Sequence, residues 1–263
     1  MVTALDTSLG GTNLSTYGFE TQRTPKDLMP PISEKTIEIP KFDGSVLSSM
    51  KFDKHKLPCI GTITGSSYDD LKTKIETLSA YLYRDTTRAL IFNNQSDRYY
   101  NVMVRDKIAV AQKNIVKAAM LIIFTADDPF AYDNTANTDT QSSFNVNGDT
   151  FIIANAGHTF AYPVITITFN QAQTHIYIEN NSIEDNRFDI SRSFEADDVL
   201  EVDSKNRTVK LNGTADYTGV GDGGESLAEW LILAVGNNEL QAGTDDETID
   251  VDINITFSKT YLY

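Results

Sequence analysis

Cysteine is almost missing from these 263 residues, and the one present, Cys59, cannot close an internal disulfide. The fold is expected to stand without covalent staples, which suits assembly in a reducing cytosol. Histidine is scarce as well. His55, His158 and His175 lie in different segments, and none has metal-ligand spacing to another His or to Cys59. Hydrogen-bonded or solvated imidazoles are the simpler reading, so they receive no metal or catalytic role. No stretch approaches the ~20 apolar residues of a membrane helix. The longest run, residues 115–124, is interrupted by Lys117. The N-terminus has no basic start followed by an apolar segment, so no secretion signal is expected. No glycine-rich loop follows a strand and opens a helix. Gly219-Val220-Gly221-Asp222-Gly223-Gly224 lies between sheet segments and reads as a loop, not a phosphate cradle. No cofactor is implied.

Positive charge is short in only one half. Up to Tyr132 there are 16 Lys and Arg against 15 Asp and Glu, a balance of +1; from Asp133 onward there are 6 against 22, a balance of −16, which together give the net −15. The acidic balance argues against nucleic acid as a ligand, because phosphates are repelled, but not against nucleic acid passing by. The acidic clusters Asp197-Asp198 and Asp245-Asp246-Glu247, and the loop acids Asp222 and Glu225, offer oxygen ligands for calcium. Their spacing fits no EF-hand, and a solvated acidic surface is the simpler reading. Nothing singles out two of the 37 acids as a glycosidase pair.

What is present is period-2 patterning, with one exception. Residues 67–83 read as a helix. Ser67 with Asp70 has the shape of a capping box, and Leu71, Ile75, Leu78 and Leu82 form one apolar stripe. Strands are expected at 34–39, 88–92, 98–105 and 115–125, the last stopped by Asp128-Pro129. Residues 133–143, made of Asn, Thr, Ala, Asp, Gln and Ser, read as a linker. Asn147-Gly148 reads as a hairpin turn. Residues 162–169 and 175–179 are expected to pair, as are 199–203 and 208–211. A strand at 229–235 is expected to stop at Gly236-Asn237-Asn238. In the last strand Ile249, Val251, Ile253, Ile255 and Phe257 alternate with Asp250, Asp252, Asn254 and Thr256. Short strands with turns every ~8–12 residues predict an antiparallel β-sandwich for this half. The single tryptophan, Trp230, stands in an apolar run and is expected in the core rather than as a sugar platform.

Several segments, taken in order, resemble the distal tail proteins (Dit) of long-tailed, siphovirus-type bacteriophages and related prophages. They are Leu90-Ile91-Phe92 with Asp97-Arg98-Tyr99-Tyr100-Asn101-Val102, then Phe124 with Asp128-Pro129-Phe130-Ala131-Tyr132, then Asn155-Ala156-Gly157 with Pro163-Val164-Ile165. The hairpin from Asp198 to Gly213, the Gly236-Asn237-Asn238 turn (with Val235 in place of the usual Pro) and the terminal Tyr261-Leu262-Tyr263 complete the series.

The resemblance implies a mainly β protein of two domains. Residues 1–135 would be an N-terminal, split β-barrel-like domain with one α-helix that joins five copies in a hexameric ring. Residues 136–263 would be a C-terminal galectin-like antiparallel β-sandwich outside that ring. Asp128, Pro129, Phe130 and Tyr132 mark the family motif at the domain junction. The implied function is non-catalytic: a hub at the distal end of the tail tube, joining it to the tail tip or baseplate and leaving a channel for DNA. Implied partners are the tail tube protein, the tape-measure protein and tail-tip or baseplate hub proteins. DNA passes without specific binding, and no membrane is involved. The implied location is the tail tip of the virion, assembled in the host cytoplasm. The rival is a carbohydrate-binding module acting through the C-terminal sandwich, although the galectin sugar motif is not recognisable. A third reading, a secreted or cell-wall hydrolase, predicts a deep acidic cleft.

Overall fold

A computed structural model describes residues 6–23, 29–40, 43–221, 229–246 and 248–262. The chain divides into two compact units, Met1–Asn134 with Leu262–Tyr263, and Thr135–Tyr261. Strands dominate both, and the one α-helix among the described residues lies in the first.

The first unit grows from one long antiparallel pair. Lys117–Ala126 faces His55–Thr64 over ten consecutive pairs, from Lys117 opposite Thr64 to Ala126 opposite His55. Both strands alternate: Leu57, Cys59, Met120, Ile122 and Phe124 turn inward and are buried. Around this pair the half-barrel-like sheet runs Thr12–Asn13, Thr7–Leu9, Arg88–Phe92, Arg98–Val104, Lys117–Ala126, His55–Thr64, Phe19–Arg23. Ala109–Asn114 pairs with the outer side of Lys117–Leu121.

The strand His55–Thr64 is absent from the sequence expectation because Pro58 sits within it. Pro58 lies beyond the residues that pair with Phe19–Arg23, where among the described residues the strand has a neighbour on one side only. A missing N–H donor is tolerated there.

The helix spans Tyr68–Leu82, as its pattern predicts. Ser67 is extended (φ −144°, ψ 174°), and its hydroxyl accepts the Asp70 N–H at 3.1 Å. The Asp70 carboxylate reaches one residue further back than in an ordinary capping box, accepting the Ser66 N–H at 2.6 Å. That hydrogen bond, with Lys74 beside it, holds the Asp70 carboxyl below the usual carboxylate range. Leu71, Leu78 and Leu82 are buried, and Ile75 is half-buried. Each fully buried leucine contributes about 1.5–3 kcal/mol as an upper estimate.

The second unit is two antiparallel sheets around one core. One sheet runs Asn137–Phe144, Val251–Phe257, Val164–Phe169, Val199–Asp203, Thr208–Leu211, Thr214–Ala215. The other runs Thr150–Asn155, Gly236–Gly243, Gln173–Asn180, Arg187–Phe194. Ile165, Ile167, Leu200, Ile253 and Ile255 from the first meet Ile153, Ile176, Phe188, Ile190 and Leu240 from the second in a single cluster. Phe169 and Phe194, one from each sheet, stack at 4.1 Å.

Several local expectations are corrected here. The polar stretch expected as a linker contains the edge strand Asn137–Phe144, paired with Val251–Phe257. An edge strand needs little apolar alternation, and its composition concealed it. Residues 162–169 and 175–179 do not pair; Val164–Phe169 and Gln173–Asn180 belong to different sheets. Asn147-Gly148 likewise connects strands of different sheets, with Asn147 bonded to both the N–H and the C=O of Thr244. The hairpin of Val199–Asp203 with Thr208–Leu211 is as expected.

The largest correction concerns residues 229–235. They form no strand, although Leu231 and Leu233 are fully buried. Four buried asparagines bond their backbone instead. Asn186 accepts from Ile232 N–H at 2.9 Å and donates to Trp230 C=O at 3.2 Å. Asn180 donates to Ile232 C=O at 2.7 Å, and Asn155 to Leu233 C=O at 3.0 Å. Asn238 accepts from Ala234 N–H and donates to Ala234 C=O. Side-chain amides thus take much of the place of a neighbouring strand, the backbone pairing being reduced to one antiparallel bridge of Leu233 with Ala161 and a bond from Glu229 N–H to Arg187 C=O. The expected stop at Gly236 is where the next strand begins, Gly236 taking φ +98°.

Candidate functional site

The chain leaves the strand Lys117–Ala126 through a corner built from the sequence motif. Asp127 comes first. Its carboxylate takes a two-pronged contact from Arg105, at 2.7 and 2.6 Å, and a third from Lys54 at 3.1 Å. Arg105 foremost, then Lys54, holds the Asp127 carboxyl below its ordinary range, and the same contact raises the Arg105 guanidinium. Asp128 accepts a hydrogen bond from the Tyr132 hydroxyl. The Pro129 carbonyl lies 3.2 Å from His55 Nδ1; a carbonyl only accepts, so this nitrogen carries the proton. Phe130 meets Phe52 edge to face at 5.3 Å. Tyr132 lies opposite Tyr99 in an antiparallel pair, their rings 5.7 Å apart, and Asn134 N–H donates to Asp97 C=O at 2.8 Å.

Two motifs quoted separately from the sequence therefore meet in space: Asp97 to Tyr100 and Asp128 to Tyr132. Tyr100 is also within 5.9 Å of the His55 ring. The sequence reading missed Phe52, Lys54, His55, Arg105 and Asp127. Only Asp127, next to the motif, carried a signal that could have found it. The corner fixes the end of a sheet. It sets no nucleophile beside a free base, since its one imidazole faces a carbonyl within a buried aromatic setting.

The second motif is also mechanical. Asn155 Oδ1 accepts the Gly157 N–H at 2.9 Å, and its amide donates to Thr159 C=O at 3.0 Å. A Cβ on Gly157 would come within 2.8 Å of Thr260 O and 2.9 Å of Asn155 Oδ1, so only glycine fits.

The acidic clusters are used in turns. Asp198 caps Glu195 N–H at 2.8 Å and accepts from Asn212 at 2.7 Å. Asp246 accepts from Thr174 N–H at 2.7 Å and its hydroxyl at 2.8 Å. His175 is buried, 3.2 Å from Asp189 and 3.3 Å from Asp245. Among the described residues no three His, Cys, Asp or Glu side chains gather as a metal site. Asp222, Gly223, Gly224, Glu225, Glu247 and Tyr263 lie outside the described residues. Trp230 is half-buried and packs on Phe188 at 5.8 Å, against the core, though not on a strand. No described helix is long and apolar enough to cross a membrane.

Residues 12–140 match the phage tail protein RIFT-related domain, and residues 156–261 match the siphovirus-type tail component C-terminal domain. No curated protein sequence matches the chain. Among solved structures, the Dit protein (gp 19.1) of phage SPP1, a paradigm of the hub adsorption apparatus in phages infecting Gram-positive bacteria, aligns with a TM-score of 0.81 at 18% identity, covering 98% of this chain and 99% of that one. A chain of the phage P2 baseplate in its activated conformation with calcium aligns with a TM-score of 0.50 at 8% identity, covering 96% and 97%. At these identities the likeness concerns the fold. The two family matches fall in chain order, one in each compact unit for most of their length, and both families are structural tail components rather than enzymes. The chain belongs to the distal tail proteins of siphovirus-type bacteriophages, structural components of the virion tail.

Proposed function

We propose that this chain is the ring-forming hub at the distal end of the tail tube. Six copies join through the first unit, connect the tube to the tail tip or baseplate, and leave a channel for DNA and the tape-measure protein. The observation that carries this reading is the end-to-end likeness to SPP1 Dit, a hub protein, across 98% of the chain. The Asp127–Tyr132 corner supports it as the place where the ring-forming unit ends and the outward, galectin-like unit begins. The charge division fits the same scheme: a near-neutral unit suits close contact between copies, and an acidic one suits solubility. The proposed partners are the tail tube protein, the tape-measure protein and the tail-tip proteins, met after assembly in the host cytoplasm.

The carbohydrate-binding rival needs aromatic side chains on a sheet face. The wet face of the six-stranded sheet instead carries Thr138, Thr140, Thr166, Thr168, Asn254 and Thr256, flanked by acids, with no aromatic among the described residues. On the other sheet, Tyr177 has the Arg187 guanidinium 3.8 Å over its ring. Gold-labelled antibody against this chain tests the hub reading on intact virions. Label confined to the distal tail end is expected; label on the capsid, or none, overturns it.

A further inference from the structure

Under the ring reading, the exposed elements of the first unit are left to contacts between copies. They are the two-stranded ribbon of Ile32–Glu38 with Ser45–Phe52, and the edge strand Ala109–Asn114. The second unit has an open edge of its own. Of the four edges of its two sheets, three are guarded. Arg187–Phe194 is covered: Ile190 bridges Val220, Ser191 N–H donates to Gly219 C=O, and Gly221 N–H donates to Asp189 C=O. Asn137–Phe144 bears Asp139 and a register shift between Gln141 and Phe144. Thr214–Ala215 is only two residues long. Cover, charge, irregularity and shortness all keep sheet edges from pairing.

Thr150–Asn155 has none of these guards. It pairs with Gly236–Gly243 in unbroken register, and among the described residues no strand lies on its other side. It carries no charge and no proline. Phe151 and Ile153 turn into the core, while Ile152 is 61% exposed. Exposed apolar side chains continue past both ends. Val146 stands before it, its C=O accepting the Asp149 N–H at 3.2 Å. After it come Val235, next to the Gly236 that faces Asn155, and Phe160, next to the Thr159 that Asn155 holds.

The start of this edge is acidic. Asp149 precedes it, the exposed Glu239 lies opposite Ile152, and Asp245 follows the Thr244 bonded to Asn147. The six cations of this unit are elsewhere. Arg187, Arg192 and Lys210 are taken by Asp189, Asp216 and Glu201. Lys205 and Arg207 belong to the turn after Ser204, whose N–H donates to Pro163 C=O; Lys259 precedes Thr260, whose C=O accepts the His158 N–H. Those three lie past the far end of the strand.

We propose that Thr150–Asn155 is a docking edge, to which an extended, basic segment of another tail protein adds as a fifth strand of the four-stranded sheet. Backbone hydrogen bonds supply the pairing. Ile152 selects apolar or β-branched side chains at alternate positions, and Asp149 with Glu239 selects Lys or Arg at the end lying against them. A second copy is the poorer occupant, since its own uncharged strand brings no cation to those acids. The inference goes beyond the hub reading by naming a contact surface on the second unit, and rests on it for the partner's place in the tail.

The test uses purified virions in which Thr150 of this chain is replaced by the photo-reactive p-benzoylphenylalanine. Cross-links are expected to a different tail protein, mapping to one segment of alternating apolar residues flanked by Lys or Arg. Adding Ile152→Lys, which leaves the core untouched and sets a cation on the edge, is expected to lower their yield about ten-fold or more, whereas Ile152→Val keeps it. The purified Ile152→Lys chain is expected to retain the Trp230 fluorescence transition of the unsubstituted chain in urea, which separates lost docking from lost fold. Virions that hold the chain but give cross-links to a second copy, to a segment without that pattern, or to nothing overturn the docking edge and leave the hub reading standing. A chain missing from the virion overturns both. A cross-link that Ile152→Lys does not weaken counts against strand addition.

Discussion

The two units solve the same problem, how to satisfy an irregular β fold, in opposite ways. The second unit closes on itself. It gathers most of its apolar side chains into one cluster between two sheets, with Ile152, Phe160 and Val235 among the few left exposed, and bonds the strandless residues 230–234 largely through Asn155, Asn180, Asn186 and Asn238, each at most 1% exposed. The first unit builds a core around Lys117–Ala126 yet leaves a ribbon and an edge strand solvated and apolar. A unit that buries more of its apolar surface internally is the better suited to facing solvent. One that keeps some outside is suited to meeting copies of itself.

Nature supplied one reporter per unit. Cys59 is buried in the first, and burial pushes its thiol up to about 11, so it reacts with a thiol reagent only when that unit opens. Trp230 is the only tryptophan and packs on the second core. The comparison can therefore be broken at its strongest points first. Phe124→Ala removes a fully buried ring at a cost of about 3–5 kcal/mol. In urea, Cys59 labelling should begin at much lower concentration while the Trp230 fluorescence transition stays put. Phe169→Ala should do the reverse. If either variant moved both signals equally, the units would not unfold separately.

Asn238→Ala comes next. It strips partners from Ala234 N–H, Ala234 C=O and Asn180, at about 1–3 kcal/mol for each buried group left unpaired. Trp230 fluorescence should report the loss, and Cys59 labelling should not. Ser67→Ala, which removes the helix cap, is milder at about 1 kcal/mol and should be read by Cys59 alone.

These asparagines also show where sequence legibility ends. Alternation around Ile253 and Ile255, and the Leu71, Leu78, Leu82 stripe, report burial directly, so the last strand and the helix were readable. Leu231 and Leu233 are equally apolar, but the backbone of Ile232 and Leu233 finds its partners in the amides of Asn155, Asn180 and Asn186 and in the Ala161 backbone, 40 to 80 residues away in sequence. No local pattern encodes that. Pro58 and the polar run before Phe144 misled for a related reason: strand edges relax the rules that identify strand interiors. At the corner, Asp128, Pro129, Phe130 and Tyr132 were legible from family likeness, whereas Phe52, His55 and Arg105 reach it only through the fold.

The smallest expected effect is electrostatic. Arg192, 2.6 Å from Asp216, with the Thr218 N–H, holds that carboxyl well below the usual range. The fold thus favours the ionised form. Its contribution is whole above the ordinary carboxylate value near 4 and is lost progressively as acid protonates the folded group. Asp216→Asn should flatten the acid limb of the Trp230-detected stability curve slightly, leaving the neutral-pH fold unchanged. An identical acid limb would remove this pair from the account.

The central claim is that a near-neutral, apolar-edged first unit assembles while an acidic second unit stays outside. Native mass measurement of the full chain, alone and with the tail tube protein, tests it most directly. Particles of six copies are predicted. A chain that remains a monomer under both conditions would contradict the account.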